Sequence, residues 1–348
     1  MVRPGEETTG SSGGHAGMPV APPMSRMRDE QLQAASTRVI VSNMGSPTED
    51  ITAERGRASF DSEAMSDLLY GKPMKAELRR IAEALAADPR FSKKGRYFMT
   101  REQRMARSLQ LAVDVPLKAI ELNVAAKTDL LMVMVGMLDE PLPTALHWGM
   151  FIPTIRGQGT DAQKDEWLPK AMQLQVVGTY AQTELGHGTF LRGLETTATF
   201  DHEMDEFIVH SPTLTSTKWW PGGLGKTATH AVVMARLFTG GVDHGPHPFI
   251  MQLRSPTDHS PLPGISVGSI GPKLGYMTAD NGYLRFDHVR IPRSAMLQRF
   301  ASVDQDGVYS KPSGTTKTAY GTMIFVRRFV LRGRVTLSLS LSLSLSRS

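Results

Sequence analysis

No cysteine occurs among the 348 residues, which excludes disulfides, thiolate nucleophiles and cysteine-ligated zinc. No window offers the about 18 consecutive apolar residues that a membrane helix requires. The longest apolar-rich run, Leu130 to Leu138, contains Gly136 and is flanked by Asp129 and Asp139, which predicts a buried helix. Acid is absent from residues 321–348, where Arg327, Arg328, Arg332, Arg334 and Arg347 stand without an Asp or Glu. That stretch supplies the whole net charge of +5, because elsewhere 34 basic side chains meet 34 acidic ones. The pI of ≈ 9.4 therefore does not signal a basic surface for nucleic acid.

What is present reads as a globular chain, with 40% hydrophobic and 21% charged residues. Residues 1–45 are rich in Gly, Ser, Pro and Met without apolar periodicity, and are expected to be disordered. From Thr52 to about Val177 the pattern is helical. Ser62 or Ser66 is expected to cap a helix through Met65, Leu68 and Leu69, and a longer helix runs from about Lys75 through Leu78, Ile81 and Leu85 to Asp88-Pro89. Thr100-Arg101-Glu102-Gln103 and Thr160-Asp161-Ala162-Gln163 are capping-box candidates.

After Tyr180 the period changes to two. Residues 195–200 and 206–210 flank an acidic turn and predict a hairpin, with further strands at His230–Leu237, His247–Arg254, Gly264–Ile270 and Gly282–Ile291. The fold class is α+β: an N-terminal α-helical domain over 46–177, then a β-sandwich or barrel-like domain over 178–312. A helical pattern begins at Thr322–Phe329, so 313–334 reads as the start of another helical domain. From Val335 the chain alternates Leu and Ser to residue 348. A strand would show that period, but a translated CT repeat, CTC for Leu and TCT for Ser, explains it more simply.

Two loops stand out, Tyr180-Ala181-Gln182-Thr183-Glu184-Leu185-Gly186-His187-Gly188 and Lys218-Trp219-Trp220-Pro221-Gly222-Gly223-Leu224-Gly225-Lys226. A Thr hydroxyl with neighbouring backbone amides suits the polar edge of a flat heteroaromatic ligand. Taken alone, the first loop reads more simply as a helix-to-strand turn in which Gly186 and Gly188 supply positive φ. Adjacent tryptophans on a strand face opposite sides, so one packs inside while the other shields a planar ligand, or both simply pack around a Pro-Gly-Gly turn. His147 reads as a packed helix histidine and His187 as a turn residue, neither with metal-ligand spacing. Arg290 and Arg293 read as salt-bridging residues at a domain or subunit contact.

Together the loops resemble the paired flavin loops of acyl-CoA oxidases, within the acyl-CoA dehydrogenase/oxidase superfamily. The resemblance runs from Glu54-Arg55 and Ser59-Phe60-Asp61 to Gly321-Thr322-Met323-Ile324-Phe325-Val326-Arg327. It includes Leu146-His147-Trp148-Gly149-Met150-Phe151, Gly193-Leu194-Glu195-Thr196-Thr197-Ala198-Thr199, Gly271-Pro272-Lys273, Asp280-Asn281-Gly282-Tyr283 and Asp287-His288-Val289-Arg290-Ile291-Pro292-Arg293.

That resemblance implies FAD as cofactor, with Thr183 and Gly222 binding it and Gln182, Glu184, Trp219 and Trp220 nearby. It implies fatty acyl-CoA and O2 as substrates, α,β-desaturation to trans-2-enoyl-CoA with release of H2O2, a homodimer, and a peroxisomal location in fatty acid β-oxidation. The Thr-Glu-Leu-Gly-His-Gly and Trp-Trp-Pro-Gly-Gly wording favours the oxidase over the related dehydrogenases. The family's catalytic Glu lies in a Phe-Glu-Gly-Glu-like motif of a C-terminal helical domain. This chain has neither that motif nor a Ser-Lys-Leu type terminus, ending Ser346-Arg347-Ser348. Arg26-Met27 to Gln33-Ala34 is only a degenerate match to an N-terminal peroxisomal signal. The expectation is an inactive, C-terminally truncated oxidase with no catalytic residue of its own. The alternative is a non-catalytic homologue that binds and sequesters a full-length oxidase.

Overall fold

The computed structural model describes residues 47–311 except Ala126 and Asp139. The expected disordered segment 1–45, the helical start at 313–334 with Thr322–Phe329, the Leu-Ser tail and the Arg residues of 321–348 lie outside the described residues. So does Asp139, one of the two flanks assigned to the apolar run.

Helix α1 (Pro47–Gly56) lies in one unit, and the described residues from Phe60 onward form another. The second unit begins with α2 (Ser62–Tyr70) and α3 (Lys72–Ala86). The cap of α2 is Asp61, not Ser62 or Ser66: its carboxylate accepts from Glu63 N and Ala64 N, and Ser62 is already helical. A carboxylate at this position also complements the positive end of the helix dipole. Helix α3 presents Ile81 and Leu85 to the interior, four residues apart on one face.

Both predicted capping boxes form. Thr100 opens α4 (Arg101–Glu121) and Thr160 opens α7 (Asp161–Met172), each Thr accepting from a glutamine N–H while that glutamine side chain returns to the Thr N–H. Between them lie α5 (Thr128–Gly136), which is the predicted apolar helix, and α6 (Ile152–Gln158). Ile81, Leu85, Phe91, Leu111, Val115, Leu130 and Met134 close a helical core.

His147 is the packed helix histidine suggested by the sequence, on a π-helical turn from His147 to Phe151 that runs into α6. It is fully buried, its Nε2–H directed at Ala171 O (3.0 Å) while Nδ1 accepts from Gly178 N (2.9 Å). One imidazole thereby ties α7 to the first strand. A Cβ on Gly178 would lie 2.2 Å from the Phe151 ring, so only glycine permits this approach.

The strands are β1 (Gly178–Ala181), β2 (Thr197–Asp201), β3 (Glu206–His210), β4 (Lys218–Trp219), β5 (His230–Thr239), β6 (Val242–Gln252), β7 (Ile265–Ser269), β8 (Gly282–Phe286), β9 (Val289–Pro292), β10 (Ser302–Val303) and β11 (Tyr309–Ser310). The predicted hairpin is β2–β3, paired antiparallel from Thr197↔His210 to Asp201↔Glu206. Strand β5 is central. One edge pairs antiparallel with β6, while β1 and then β2 pair with it in parallel. The order of the main sheet is β1-β5-β2-β3-β9, with β6 on β5, and a second sheet runs β4-β8-β7.

The expected single strand Gly282–Ile291 is in fact two. His288 adopts φ 50, breaking the extended run, and the chain leaves the second sheet after β8 and enters the main sheet as β9. A strand that switches sheets is how a sandwich turns a corner. The two sheets enclose one core, with Phe207, Val209, Val233, Leu237 and Phe249 from the main sheet against Ile265, Leu284 and Phe286 from the other. Phe151, Ile155 and Ala171 pack with Tyr180, Val232 and Ile250, joining helices to sheet. The architecture is thus a helical region followed by a curled β region, as expected.

Arg290 and Arg293 make the predicted ion pairs, but within the β region. Arg290 bridges Asp201 (3.0 Å) and Glu206 (3.2 Å) across neighbouring strands, and Arg293 meets Asp205 (2.5 Å). Pairing of β2, β3 and β9 sets these distances, which sequence spacing does not show.

Candidate functional site

The two loops lie side by side. The first leaves β1 at Ala181 and the second is β4 with the turn after it. They are joined by a bridge between Glu184 and Lys218 and by Trp219 N donating to Thr183 O (2.9 Å). Leu185 N and Gly186 N also donate to Thr217 O (2.8 Å) and Thr215 O (3.0 Å). The hairpin β2–β3 between them in sequence brings the chain back to make this contact.

The join is locked by a buried ion pair. Lys218 Nζ lies 2.9 Å from Glu184 Oε1, with both side chains fully buried, and it also donates to Gln182 O (3.2 Å) and Met234 O (2.6 Å). Glu184 Oε1 further accepts from Thr196 N and Oγ1, and Oε2 from Glu195 N. Burial pushes the Lys218 ammonium below its ordinary pKa, against the pull of the Glu184 carboxylate. Glu184, with both oxygens engaged, is built in as structure and cannot act as a free proton acceptor.

Thr183 is half-buried between buried Gln182 and Glu184. Gln182 Oε1 accepts from the Tyr180 hydroxyl at 3.0 Å. Trp219 is half-buried on β4, whereas Trp220 has left the strand, with φ 69 and 55% exposure, so the two indoles are separated by a backbone turn. Trp220 N donates to Gly282 O (2.8 Å) and its carbonyl accepts from Asn281 Nδ2 (2.6 Å). Positive φ is supplied by Gly223 (φ 75) and Trp220; neither Gly186 nor Gly188 has it, so the expectation for those two glycines fails. Gly186 serves by closeness, since a Cβ there would press on the Thr215 side chain at 2.8 Å.

Gly222 sits where the second loop passes under the helical region. Its carbonyl accepts from Thr179 Oγ1 (2.7 Å), and a Cβ would lie 3.1 Å from Ala279 O and 3.5 Å from Leu146 Cγ. Next to it, a Cβ on Gly223 would meet Pro143 O at 2.6 Å.

Sequence reasoning missed the clamp that shapes this loop. Buried Asp280 receives Lys226 N, Thr227 N and Thr227 Oγ1 on Oδ2, each at 2.8 Å. Buried Arg254 holds the opposite polarity, donating to Ala228 O (2.5 Å), Leu224 O (3.0 Å) and Gly225 O (3.0 Å). A carboxylate for the loop's N–H groups and a guanidinium for its carbonyls leave few backbone groups free to relax. Asp280 itself has φ 52, and Gly282 admits no Cβ, which would lie 2.5 Å from Gly225 N. A signal was available in the quoted Asp280-Asn281-Gly282, where αL-tolerant residues cluster.

His187 lies in the first loop's turn, where its backbone exchanges hydrogen bonds with Glu184. Its Nε2 is 3.3 Å from Glu195 Oε1. Among the described residues no helix is long and apolar enough to cross a membrane.

Residues 61–177 match the acyl-coenzyme A oxidase N-terminal family, and 179–289 the acyl-CoA dehydrogenase middle domain. The chain is 48% identical over 284 residues to peroxisomal acyl-coenzyme A oxidase 1 of Homo sapiens, covering 81% of this chain and 43% of the relative. It is 47% identical over 286 residues to the Cavia porcellus protein of the same name, with the same coverage of each. The solved Arabidopsis thaliana acyl-CoA oxidase 1 superposes with a TM-score of 0.74 at 47% identity, over 80% of this chain and 42% of that one. Caenorhabditis elegans acyl-CoA oxidase-1, solved with FAD and ATP, superposes with a TM-score of 0.70 at 40% identity, over 78% and 42%. The chain spans less than half the length of the relatives it matches.

Proposed function

This chain belongs to the acyl-CoA oxidase family, and we propose that it carries the flavin-loop half of a peroxisomal, FAD-dependent oxidation of fatty acyl-CoA. The observation that carries the reading is the locked pairing of the two loops through Thr183 O–Trp219 N and Glu184–Lys218. The residues present suit FAD in kind. Thr183 is accessible and polar, Gly222 keeps the second loop close, and the exposed Trp220 adds flat apolar surface beside them.

In this reading Thr183 and Gly222 hold the flavin, with Gln182 and Trp219 supporting the loops. FAD, when bound, supplies hydride acceptance from the acyl β-carbon and, with O2, the reoxidation that yields H2O2 and trans-2-enoyl-CoA. The chain's own contribution is placement: donors at Thr183 stabilise negative charge on the ring edge, and the clamped second loop shields that edge from water. Removal of the α-proton requires a carboxylate freed from structural bonds. Glu184 does not qualify; the resemblance to acyl-CoA oxidases implies that the base is the Glu of a C-terminal helical domain.

A peroxisomal location accompanies this reading, because the relatives bear peroxisomal names; a homodimer accompanies it only as what the resemblance to acyl-CoA oxidases implies. The test is FAD retention by the purified chain, followed by peroxide release on addition of palmitoyl-CoA. Flavin bound in the native chain and lost in Thr183→Val supports the assignment; flavin binding indifferent to that change overturns it. Peroxide release decides whether the chain itself turns over. Flavin retention without peroxide favours the second reading, a non-catalytic partner of a full-length oxidase, which a mixed dimer in gel filtration would show directly.

A further inference from the structure

Three metal-ligating side chains meet where the chain passes from the second sheet to the main one. His210 ends β3, and Asp287 and His288 lie between β8 and β9. One ligand atom from each lies within 4.8 Å of the other two. His288 Nδ1 is 2.8 Å from Asp287 Oδ1, and His210 Nδ1 is 3.8 Å from the same oxygen. The two imidazoles stack, with ring centroids 3.8 Å apart.

Backbone pairing fixes the cluster from both sides. Val209 pairs with Val289 in the β3–β9 ladder, and Ser211 N donates to Phe286 O at 2.9 Å. His210 thus stands between two residues tied to the segment that carries the other two ligands. Asp287 N is itself held by Gly264 O at 2.8 Å. His288 adopts φ 50, a conformation seldom taken by a residue with a side chain, and such positions gather at functional sites.

Among the described residues no hydrogen bond reaches His210 Nδ1, although that atom is shielded from water. A dry ring nitrogen without a partner calls for one. The ion-pair contacts of Asp287 are with these two histidines, and its carboxylate is otherwise largely exposed. His210 and Asp287 also line an open cavity of about 230 Å³ with Ser211, Ser266, Arg285 and Phe286. Arg285 is the charge there that opposes a cation, and the Asp287 carboxylate is the one that opposes an anion. The donor set decides between them, because two imidazoles and a carboxylate are what a zinc-class ion takes.

We propose that His210, Asp287 and His288 form a binding site for a divalent ion of the zinc class, holding β3 to the turn between β8 and β9. Tetrahedral ligands about 2.0–2.1 Å from zinc lie about 3.3–3.4 Å from one another. The two histidine-to-carboxylate distances, 2.8 and 3.8 Å, fall on either side of that spacing. Binding requires the stacked rings to turn toward the ion, and the largely exposed ring of His288 can turn without disturbing the core. Water from the open cavity completes the fourth position. The site is independent of the flavin reading and uses none of its residues.

The experiment is calorimetric titration of the full chain, free of any histidine tag, with zinc chloride and separately with magnesium chloride. Both are repeated with Asp287→Asn and His288→Asn. Asparagine tolerates the left-handed backbone at position 288, so His288→Asn keeps the test valid if Asp287→Asn fails to fold. The expected result is one zinc per chain, bound about tenfold or more weakly in either variant, with a urea midpoint that zinc raises in the native chain. Magnesium, which prefers oxygen ligands, should bind far more weakly. No zinc binding, zinc affinity unchanged in both variants, or magnesium bound as tightly as zinc overturns the proposal. None of these readouts involves flavin or peroxide, so failure of the oxidase reading is seen apart from failure of this site.

Discussion

Lys218 Nζ and Glu184 Oε1 meet at 2.9 Å with neither side chain exposed, and that contact joins the two loops proposed to hold the flavin. Removing one partner leaves a charge uncompensated in the interior. Glu184→Gln is expected to lower stability by about 3–5 kcal/mol, read from urea midpoints. The double variant Glu184→Gln, Lys218→Met should lose less than the two single changes summed, because neither charge is then orphaned. Additive losses would mean that the pair is not coupled.

Burial holds His147 down to about 4, from an ordinary 6.5. His230 is likewise held at about 4 by burial, with Lys170 adding repulsion. A depressed histidine contributes stability that is present above pH 6.5 and is lost as pH falls through the folded value. For His147 the loss between these values is about 3 kcal/mol. Denaturant midpoints measured from pH 7.5 to 4 should fall steeply below 6.5. The slope should be shallower in His147→Gln, and an unchanged slope would exonerate His147.

Asp280 accepts three hydrogen bonds from the second loop. Asp280→Ala strands those donors and is expected to cost about 2–4 kcal/mol. Flavin retention should fall with it, since Trp220 is tied to the adjacent Asn281. Asp280→Asn keeps the shape and one acceptor, so it should retain more flavin than Asp280→Ala. Equal flavin content in the two would separate the clamp from the flavin site.

Thr183→Val keeps the backbone bond from Trp219 N to Thr183 O while removing the hydroxyl. Thermal stability is expected to stay within about 0.5 kcal/mol of the native chain, while FAD affinity falls about tenfold. A stability loss without a change in flavin binding would make Thr183 a packing residue.

Loss of a cap gives a calibration of fold quality. Thr160 accepts from Gln163 N at 3.3 Å to open α7. Thr160→Ala should cost about 1 kcal/mol with flavin binding unchanged. A larger effect would show that α7 is coupled to the loops through His147 and Ala171.

The sequence by itself determined what depends on neighbours along the chain. Both capping boxes, the spacing of Ile81 and Leu85, the buried helix over Thr128–Gly136 and the β2–β3 hairpin follow from local hydrogen-bonding capacity and from periods of 3.6 or 2. The motif order carried the family. Tertiary structure decided the rest, because contacts between distant segments leave no local trace. Extension alone does not reveal that Gly282–Phe286 and Val289–Pro292 belong to different sheets; the φ of 50 at His288 does. Glu184 and Lys218 both look like site residues in the sequence, yet pairing of the loops encloses them together and makes them a buried strut. Asp280 and Arg254 look like ordinary polar residues until the fold sets one on the loop's N–H groups and the other on its carbonyls. Burying a charge is costly unless its partner is already in place, and only the assembled fold supplies that partner.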